Sequence, residues 1–321
     1  MTSERVARGA AAEPATMEHA GEHAGRAAIS PELEAAATLL GSSPDFVVLR
    51  RLAPPPRYAA DDGEAVRRAF FVDVETTGLD AQHDAIIQFC GVPFDYAPST
   101  GRIHRLYPAI VGYEDPGRAI PPFIVEKTGI TDAMVAGQKL DDGAILSALD
   151  ACVLVIAHNA SFDRPFLERR FPLFADRHWG CSMSDVPWGA MGIDSPKLEF
   201  LLYKHAHVFY DAHRADEDCY AGIHLLATPL SNGELPMRLL LETARRPIVR
   251  LEATQAPIER KDLLKVRGYR WNRARAVWWR DVSDGEREAE VAWLREVVYL
   301  RADATPHVER VDLKRRFADR S

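Results

Sequence analysis

The chain has 321 residues, of which 47% are hydrophobic and 27% are charged, a composition typical of globular proteins and not of disordered or fibrous ones. It has no apolar run long enough to cross a membrane and no signal-peptide core at its amino terminus, so we expect no membrane association. The four cysteines have no C-x-x-C spacing, which argues against a disulfide framework or a zinc cluster and predicts a reducing, cytoplasmic location.

The net charge of −7 is distributed unevenly along the chain. From Ala244 to the end there are 19 Lys and Arg residues against 13 Asp and Glu residues, whereas the preceding part holds 21 against 34. The sequence therefore predicts an acidic body followed by a basic module.

The first segment, residues 1–30, is rich in Ala, Gly, Glu and His and has almost no large apolar residue. It cannot bury enough surface to offset its ordering entropy, so we predict a disordered tail. His19 and His23 stand four residues apart, as two metal ligands on a helix would. No third ligand is near, and we interpret them as part of a solvated tail.

Residues 31–68 are predicted to form an N-terminal leader. Ser30-Pro31-Glu32 is typical of a helix start, and we expect this helix to end at Gly41. A short strand is predicted over residues 46–52, before the extended Pro54-Pro55-Pro56 linker. The sequence does not decide whether the leader packs on the main domain or binds a partner.

The stretch FFVDVETTGLD, residues 70–80, is predicted to be a strand that ends at a turn around Gly78. Alternation along the strand places Asp73 and Glu75 on one face, together with Phe71. Two carboxylates so close together repel each other unless a divalent cation lies between them. For this motif alone, acids facing solvent at a sheet edge remain an equal interpretation.

The following elements predict an antiparallel meander and then helices. Strands are expected over residues 85–96 and 103–111, with short helices after Pro121 and Thr131. The apolar run CVLVIA, residues 152–157, is typical of a fully buried strand. Asp163 follows it in the first turn of a helix capped by Asn159 or Ser161.

Asp163 and a later His–Asp pair are the remaining candidate site residues of the body. Asp163 lies just beyond the carboxyl end of a buried strand, where open α/β sheets bind ligands, although an acid that stabilises the helix dipole explains it alone. A further helix is expected from near His213 through Leu226. His213 and Asp218 are five residues apart, so their side chains can reach one site from neighbouring turns.

Three strings in this order, DVETTG, AHNASFD and HRADEDC, resemble the DEDDh class of 3′–5′ exonucleases. That class includes the proofreading epsilon subunit of bacterial DNA polymerase III, RNase T and oligoribonuclease. The string KTGITDAMVAG between the first two also matches. The resemblance covers about half of the chain, and all strings together are far more specific than any one of them.

The resemblance implies a two-metal phosphodiester hydrolase. Its carboxylates would be Asp73, Glu75, Asp163 and Asp218, holding two Mg²⁺ or Mn²⁺ ions, and His213 would be the general base. The product would be a nucleoside 5′-monophosphate released from a 3′ end. The residues implied to contact the terminal nucleotide are Thr77, Gly78, Leu79 and Phe162, although an aromatic residue at position 162 is more often part of a core.

The resemblance also implies the fold of the body. We expect an α/β, RNase H-like domain over residues 69–245, with a mixed five-stranded sheet flanked by helices. A small α+β module, residues 246–321, would follow it.

The C-terminal module has a basic, aromatic-rich stretch. Residues 260–280 hold eight basic residues, one acid and four aromatics, and residues 269–280 are predicted to form a hairpin between two helices at 259–266 and 286–300. Cations for phosphates and flat rings for bases are typical of a nucleic-acid surface. A small domain that uses its Trp residues as core is an equal alternative. The candidate contacts are Arg270, Trp271, Arg273, Arg275 and Trp278.

Three functions remain open from the sequence. The leading one is an exonuclease acting on single-stranded 3′ ends of DNA, in proofreading or repair, with a DNA polymerase or clamp as a further partner. The second keeps the chemistry but acts on RNA or short oligoribonucleotides. The third is a polymerase-associated binding subunit, against which the complete set of acids argues, because unneutralised carboxylates destabilise a scaffold.

Overall fold

The computed structural model of the protein describes residues 29–273 and 275–318. The chain forms two compact units, which divide between Phe46 and Val47. Most of the predicted disordered tail, with His19 and His23, lies outside the described residues. In the described part, none of the helices has the length and apolarity needed to cross a membrane.

The first unit contains α1 (Pro31–Gly41), as the leader sequence predicts. The Ser30 hydroxyl accepts a hydrogen bond from the Leu33 backbone N–H at 3.3 Å, and Pro31 occupies the first helical position. No residue of α1 is buried.

The second unit begins with eight strands. They are β1 (Arg50–Arg51), β2 (Arg67–Thr76), β3 (Ile86–Tyr96), β4 (Ile103–Leu106), β5 (Ile110–Tyr113), β6 (Leu154–Ala157), β7 (His178–Cys181) and β8 (Val208–Phe209). β1 and β8 form a separate parallel pair, so the strand predicted over residues 46–52 is shorter than expected.

The main sheet contains β2 to β7 and is mixed, as predicted. Its order is β4-β3-β2-β6-β7, with β5 also pairing with β3. β3 is antiparallel to β2, β4 and β5, whereas β2, β6 and β7 are parallel to one another. The sheet thus has five strand positions built from six strands. The outer position is split between β4 and β5, where Pro108 offers no backbone N–H to the ladder.

Helices cover both faces of this sheet. They are α2 (Pro122–Thr128), α3 (Asp132–Val135), α4 (Asp142–Asp150), α5 (Ala160–Arg170), α6 (Leu198–Leu201), α7 (Ala215–Ala227) and α8 (Pro236–Arg245). Phe71 faces a core that includes residues of α7 and α8, while Phe70 faces a second core with residues of α4 and α5. The alternation predicted for β2 is therefore confirmed, and Asp73 and Glu75 lie on the α7 side.

The C-terminal part is a four-stranded antiparallel sheet with helices on one face. Its elements are β9 (Ile248–Ala253), α9 (Lys261–Val266), β10 (Arg270–Asn272), β11 (Val277–Ser283), α10 (Arg287–Trp293) and β12 (His307–Val311), and the sheet order is β10-β11-β9-β12. The predicted hairpin is β10 with β11. The module boundary predicted at residues 245–246 falls between α8 and β9 and stays a prediction.

Candidate active site

Carboxylate oxygens of Asp73, Glu75 and Asp218 all lie within 4.8 Å of one another. β2 contributes the first two from one face, and α7 contributes the third. Among the described residues, the Asp73 and Glu75 side chains have no hydrogen-bond donor and no ion-pair partner. Three carboxylates that form no ion pair among the described residues make a group suited to a hard divalent cation.

Asp163 lies on α5 and adds a fourth acid to this group near the end of β2. Its side chain is 1% exposed, and Oδ1 accepts a hydrogen bond from the Val74 backbone N–H at 3.2 Å. The negative charge of Asp163 contributes to raising the pKa of Asp73. α5 starts after Asn159, whose φ of 72° is left-handed, and the expected side-chain cap is not made by Asn159 or Ser161.

Asp218 is positioned by two donors. The Tyr210 hydroxyl donates to Oδ1 at 2.8 Å, and the His213 backbone N–H donates to Oδ2 at 2.9 Å. The start of α7 is held by Gln88, whose side-chain oxygen accepts from the Ala215 backbone N–H at 3.2 Å. These contacts hold the carboxylate of α7 opposite those of β2.

Burial raises the pKa of all four carboxyl groups. Burial, with the charge of Asp218, raises the pKa of Glu75 to about 8 although Lys127 lowers it; burial raises the pKa of Asp218 to about 6 against the hydrogen bonds from Tyr210 and the His213 backbone. The pKa values of Asp73 and Asp163 are raised well above the usual range, first by burial and then by the nearby acids. The cluster therefore disfavours its own ionised form, which a bound cation would stabilise.

His213 lies before α7 and not within it, because the helix starts at Ala215. This corrects the expected helix start near His213. The backbone of His213 is left-handed, with φ of 68°, and its side chain is exposed. Partial burial and the positive charge of Lys127 lower the pKa of its imidazole, so the ring is neutral and able to accept a proton at neutral pH.

A rigid loop follows β2 and contains Thr77, Gly78 and Leu79. The Thr77 hydroxyl donates to Asp84 Oδ1 at 3.0 Å, and Arg118 donates to both groups at 2.7 and 2.8 Å. A Cβ atom on Gly78 would lie 2.3 Å from Asp84 Oδ2, so the loop packs closely only with glycine there. Leu79 is 83% exposed, as a side chain that contacts a ligand would be.

Phe162 stands at the start of α5 beside Asp163. It is half-buried, packs against the core under α5, and its ring centroid lies 5.1 Å from that of Phe166. Phe162 and Leu79 both line one large cleft. The ring thus has one side in the core and one side available to a ligand.

The five candidate contacts of the C-terminal module separate into two groups. Arg270, Trp271 and Arg273 line the same cleft as Leu79. Arg275 forms an ion pair with Glu252, and Trp278 packs against the core of the module. Neither of these two lines the cleft.

Three residues near these sites were not singled out from the sequence. Tyr210 and Lys127 act on Asp218 and His213 as described, and Trp279 lines the cleft. Strand alternation was the signal for Trp279, because adjacent residues of a strand face opposite ways. Tyr210 precedes α7 by five residues, outside the helical spacing that predicts side-chain contacts, and Lys127 is distant in the sequence from His213.

A second group with metal-ligand atoms, Asp62, Glu64 and His104, lies away from the active-site strands. Arg102 already donates to Asp62 at 2.6 Å and lies 3.7 Å from Glu64. The two carboxylates therefore lie within ion-pair distance of a cation, whereas no described cation forms an ion pair with Asp73 or Glu75.

Residues 70–226 match the family model described as Exonuclease, RNase T. The epsilon subunit of DNA polymerase III from Treponema pallidum (strain Nichols) is 29% identical over 168 residues, which are 50% of this chain and 75% of that protein. A PolC-type DNA polymerase III from Halalkalibacterium halodurans is 36% identical over 102 residues, 31% of this chain but 7% of the relative. The chain thus spans only a small part of the PolC-type polymerase.

Two solved structures are also similar. One is exonuclease X in complex with 5′ overhanging duplex DNA, with 27% identity and a TM-score of 0.38 over 50% of this chain and 89% of that chain. The other is E. coli exonuclease I in complex with a dA16 oligonucleotide, with 18% identity and a TM-score of 0.42 over 58% of this chain and 48% of that chain.

The segment from residue 70 to 226 belongs to the exonuclease family. Its domain is that of a 3′–5′ exonuclease, homologous to the epsilon subunit of DNA polymerase III and to part of the PolC-type DNA polymerase III. The family depends on divalent metal ions, and the group formed by Asp73, Glu75 and Asp218 fits such an ion.

Proposed function

We propose that the chain removes nucleoside 5′-monophosphates from single-stranded 3′ ends of DNA, in proofreading or repair. The observation that carries this proposal is the group of three carboxylates within 4.8 Å of one another, two of which have no partner among the described residues. Asp163 adds a fourth acid to the same strand end.

Asp73, Glu75, Asp163 and Asp218 are proposed to hold two divalent cations, Mg²⁺ or Mn²⁺. Bound cations of this kind supply charge stabilisation to an in-line displacement at phosphorus and lower the pKa of water. The protein's part is to present the four carboxylates in fixed positions. The Tyr210 hydroxyl and the His213 backbone N–H do this for Asp218, and the Val74 backbone N–H does it for Asp163.

His213 is proposed to remove the proton from the attacking water through a ring nitrogen. Its lowered pKa keeps the ring neutral at neutral pH, and its exposure leaves the ring free to reach a bound substrate. The left-handed backbone at His213 directs the chain into α7, so that its N–H binds Asp218 while its ring remains in solvent.

Thr77, Gly78, Leu79 and Phe162 are proposed to hold the terminal nucleotide. The network of Thr77, Asp84 and Arg118 fixes the loop, so Leu79 has little conformational freedom to lose when a base packs against it. Phe162 offers the free side of its ring for stacking.

DNA is favoured as substrate because one relative is a DNA polymerase III subunit and the other is a PolC-type DNA polymerase III. The same homology supports a DNA polymerase or clamp as a partner. RNA or a short oligoribonucleotide is the second candidate, since no contact specific for ribose or deoxyribose is identified. A binding subunit without hydrolysis is the third, and the complete acidic set argues against it.

The test is a time course on 5′-labelled DNA and RNA strands of the same sequence, with Mg²⁺ or Mn²⁺. A ladder that shortens from the 3′ end of DNA, with mononucleotides as product, supports the proposal. Faster shortening of RNA would move the assignment to the second candidate. Binding of the strands without shortening of either would favour the third.

A further inference from the structure

A cleft of about 1000 Å³ lies between the exonuclease domain and the C-terminal module. One wall comes from the loop after β2, the start of α5 and the residues after β7. The other comes from the end of α8 and from β9, β10 and β11. Because Leu79 and Phe162 belong to the first wall, the cleft begins beside the residues proposed to hold the terminal nucleotide.

The module's sheet presents a polar and aromatic face to this cleft. β9 alternates so that Val249, Leu251 and Ala253 enter the module's core. Arg250 lies on the other face and lines the cleft. Opposite it on β11 is Asp281, and Trp279 shares that face two residues earlier.

Trp279 is held as a flat platform on this face. The guanidinium carbon of Arg250 lies 3.8 Å from the centroid of the Trp279 ring, and Arg250 is fixed in turn by two hydrogen bonds to Asp281 at 2.7 and 2.8 Å. Arg270, paired with Trp279 across β10 and β11, places its guanidinium 5.8 Å from the ring centroid. The indole ring therefore lies beside two positive charges, and its remaining accessible surface lines the cleft.

Positive charge in the cleft is available for a ligand. Arg246, Arg270 and Arg273 are exposed and line the cleft, and no carboxylate of the described residues forms an ion pair with any of them. Of the acids on the opposite wall, Asp84 pairs with Arg118 and Asp185 with Arg316, while Asp80 lies beside His83. On the module's wall, Glu286 lies near Arg246 but forms no ion pair with it. A polyanion would therefore meet unpaired cations on the module's wall.

The two walls are fastened together by the end of the chain. The Arg164 guanidinium on α5 donates to the backbone carbonyls of Lys314 and Arg316, and Arg164 is 1% exposed. The Arg316 side chain is also buried, against Asp185 and the Trp179 carbonyl. These buried contacts keep the cleft preformed, which lowers the entropic cost of binding.

We propose that this cleft binds the single-stranded nucleic acid that leads away from the active site. Phosphates would contact Arg246, Arg270 and Arg273, and a base would stack on Trp279. A duplex keeps its base faces inside its own stack, so a ring that lines the cleft favours a single strand. The inference extends the proposed function, since it names the part of the chain that holds the substrate beyond its terminal nucleotide.

The test measures binding separately from hydrolysis. The full chain is mixed in EDTA with a fluorescein-labelled oligothymidylate of about 20 nucleotides, a length that exceeds common single-strand site sizes, and anisotropy is followed as a function of salt. Trp279→Ala should raise Kd about tenfold. Arg246→Ala with Arg273→Ala should raise Kd and reduce the slope of log Kd against log salt by about 0.7 for each Arg removed. The double variant changes only exposed side chains, so it keeps the test decisive if Trp279→Ala does not fold.

Lys265→Ala is the matched control. Lys265 lies on α9, and α9 packs Leu264 into the core on the face of the module's sheet that is opposite the cleft. It removes one exposed positive charge and should bind the strand as the wild type does. Wild-type Kd and salt slope in both cleft variants would overturn the proposal, as would equal losses in Lys265→Ala.

A second readout separates this proposal from the proposed function. In Mg²⁺, the p-nitrophenyl ester of thymidine 5′-monophosphate tests hydrolysis without a long strand. Cleft variants should raise KM for the strand much more than KM for this ester. Failure of the wild type to hydrolyse either substrate would contradict the proposed function, while the binding measurement in EDTA would still decide on the cleft.

Discussion

His213 combines an exposed ring with a pKa lowered by partial burial and by Lys127. We predict that His213→Ala reduces kcat by about 10²–10⁴-fold, the usual contribution of a general base. In the wild type, activity should fall as pH decreases through a value below 6.5, because protonation removes the base. Rates of hydrolysis from about pH 5 to 8 measure both effects.

His178→Ala is the control for this substitution, since His178 is exposed at the start of β7 and lies outside the acidic group. It should keep wild-type rates. Equal activity of His213→Ala and the wild type across the pH range would remove His213 from the chemistry.

Tyr210 is a positioning residue whose hydroxyl binds Asp218. This hydrogen bond lowers the pKa of Asp218 against the effect of burial. Tyr210→Phe should therefore weaken divalent-metal affinity by about tenfold, as loss of a partner behind a metal ligand commonly does. A titration of activity with Mg²⁺ gives the apparent metal affinity. A lower maximal rate at unchanged metal affinity would contradict this role.

At the scale of elements, the contact of α7 with β2 places Asp218 opposite Asp73. A Cβ atom on Gly222 would lie 2.1 Å from the Phe71 ring, so only glycine permits this approach. We predict that Gly222→Ala lowers the free energy of unfolding by about 1–3 kcal/mol, although alanine favours helix. Urea unfolding measures the change. Gly143→Ala in α4 is the matched control, because its Cβ would lie an ordinary 3.4 Å from Asp141, and it should not destabilise the protein.

The carboxylate positions on β2 were predictable because strand alternation is a local property, and the structure places Asp73 and Glu75 as predicted. The exact start of α7 was not predictable from the sequence. His213 has a left-handed backbone, and the helix begins at Ala215, whose N–H binds Gln88 from a distant strand. Sequence spacing within α7 contains no information about that partner.

Strands β7, β9 and β12 were also not predicted. β7 has four residues and β12 has mostly exposed residues, so neither strand shows a clear alternation of apolar and polar residues. β9 does alternate, but its polar members are charged residues whose partners, Asp281 and Arg275, come from the hairpin. The same alternation puts Trp278 in the core and Trp279 in the cleft, so the two sequence interpretations of the aromatic stretch each describe one face.

At the scale of the whole molecule, four carboxyl groups with raised pKa values make stability depend on pH when no metal is bound. The folded protein holds protons at Asp218 up to about pH 6 and at Glu75 up to about pH 8, whereas the unfolded chain releases them near its ordinary acid pKa values. These groups should therefore leave the free energy of unfolding unreduced below about pH 4, and should lower it as pH rises to about 8.

We predict that Tm in EDTA falls between about pH 5 and pH 8, and that Mg²⁺ or Mn²⁺ restores part of the loss at the higher pH. Asp73→Asn removes one of the mutually repelling charges, so its Tm should depend less on pH. Thermal unfolding of the two proteins at matched pH measures this. A wild-type Tm that rises over this range in EDTA, with no effect of metal, would contradict the account.

The most direct test of the central claim is degradation of a 5′-labelled DNA strand by wild-type and Asp73→Asn protein in Mg²⁺, Mn²⁺ or EDTA. Asp73 is the substitution to use because the charges of Asp163, Asp218 and Glu75 all raise the pKa of its carboxyl group. We predict stepwise shortening from the 3′ end by the wild type with either metal, none in EDTA, and none by Asp73→Asn. Shortening that continues in EDTA, or at the wild-type rate in Asp73→Asn, would contradict a metal-dependent exonuclease built on these carboxylates.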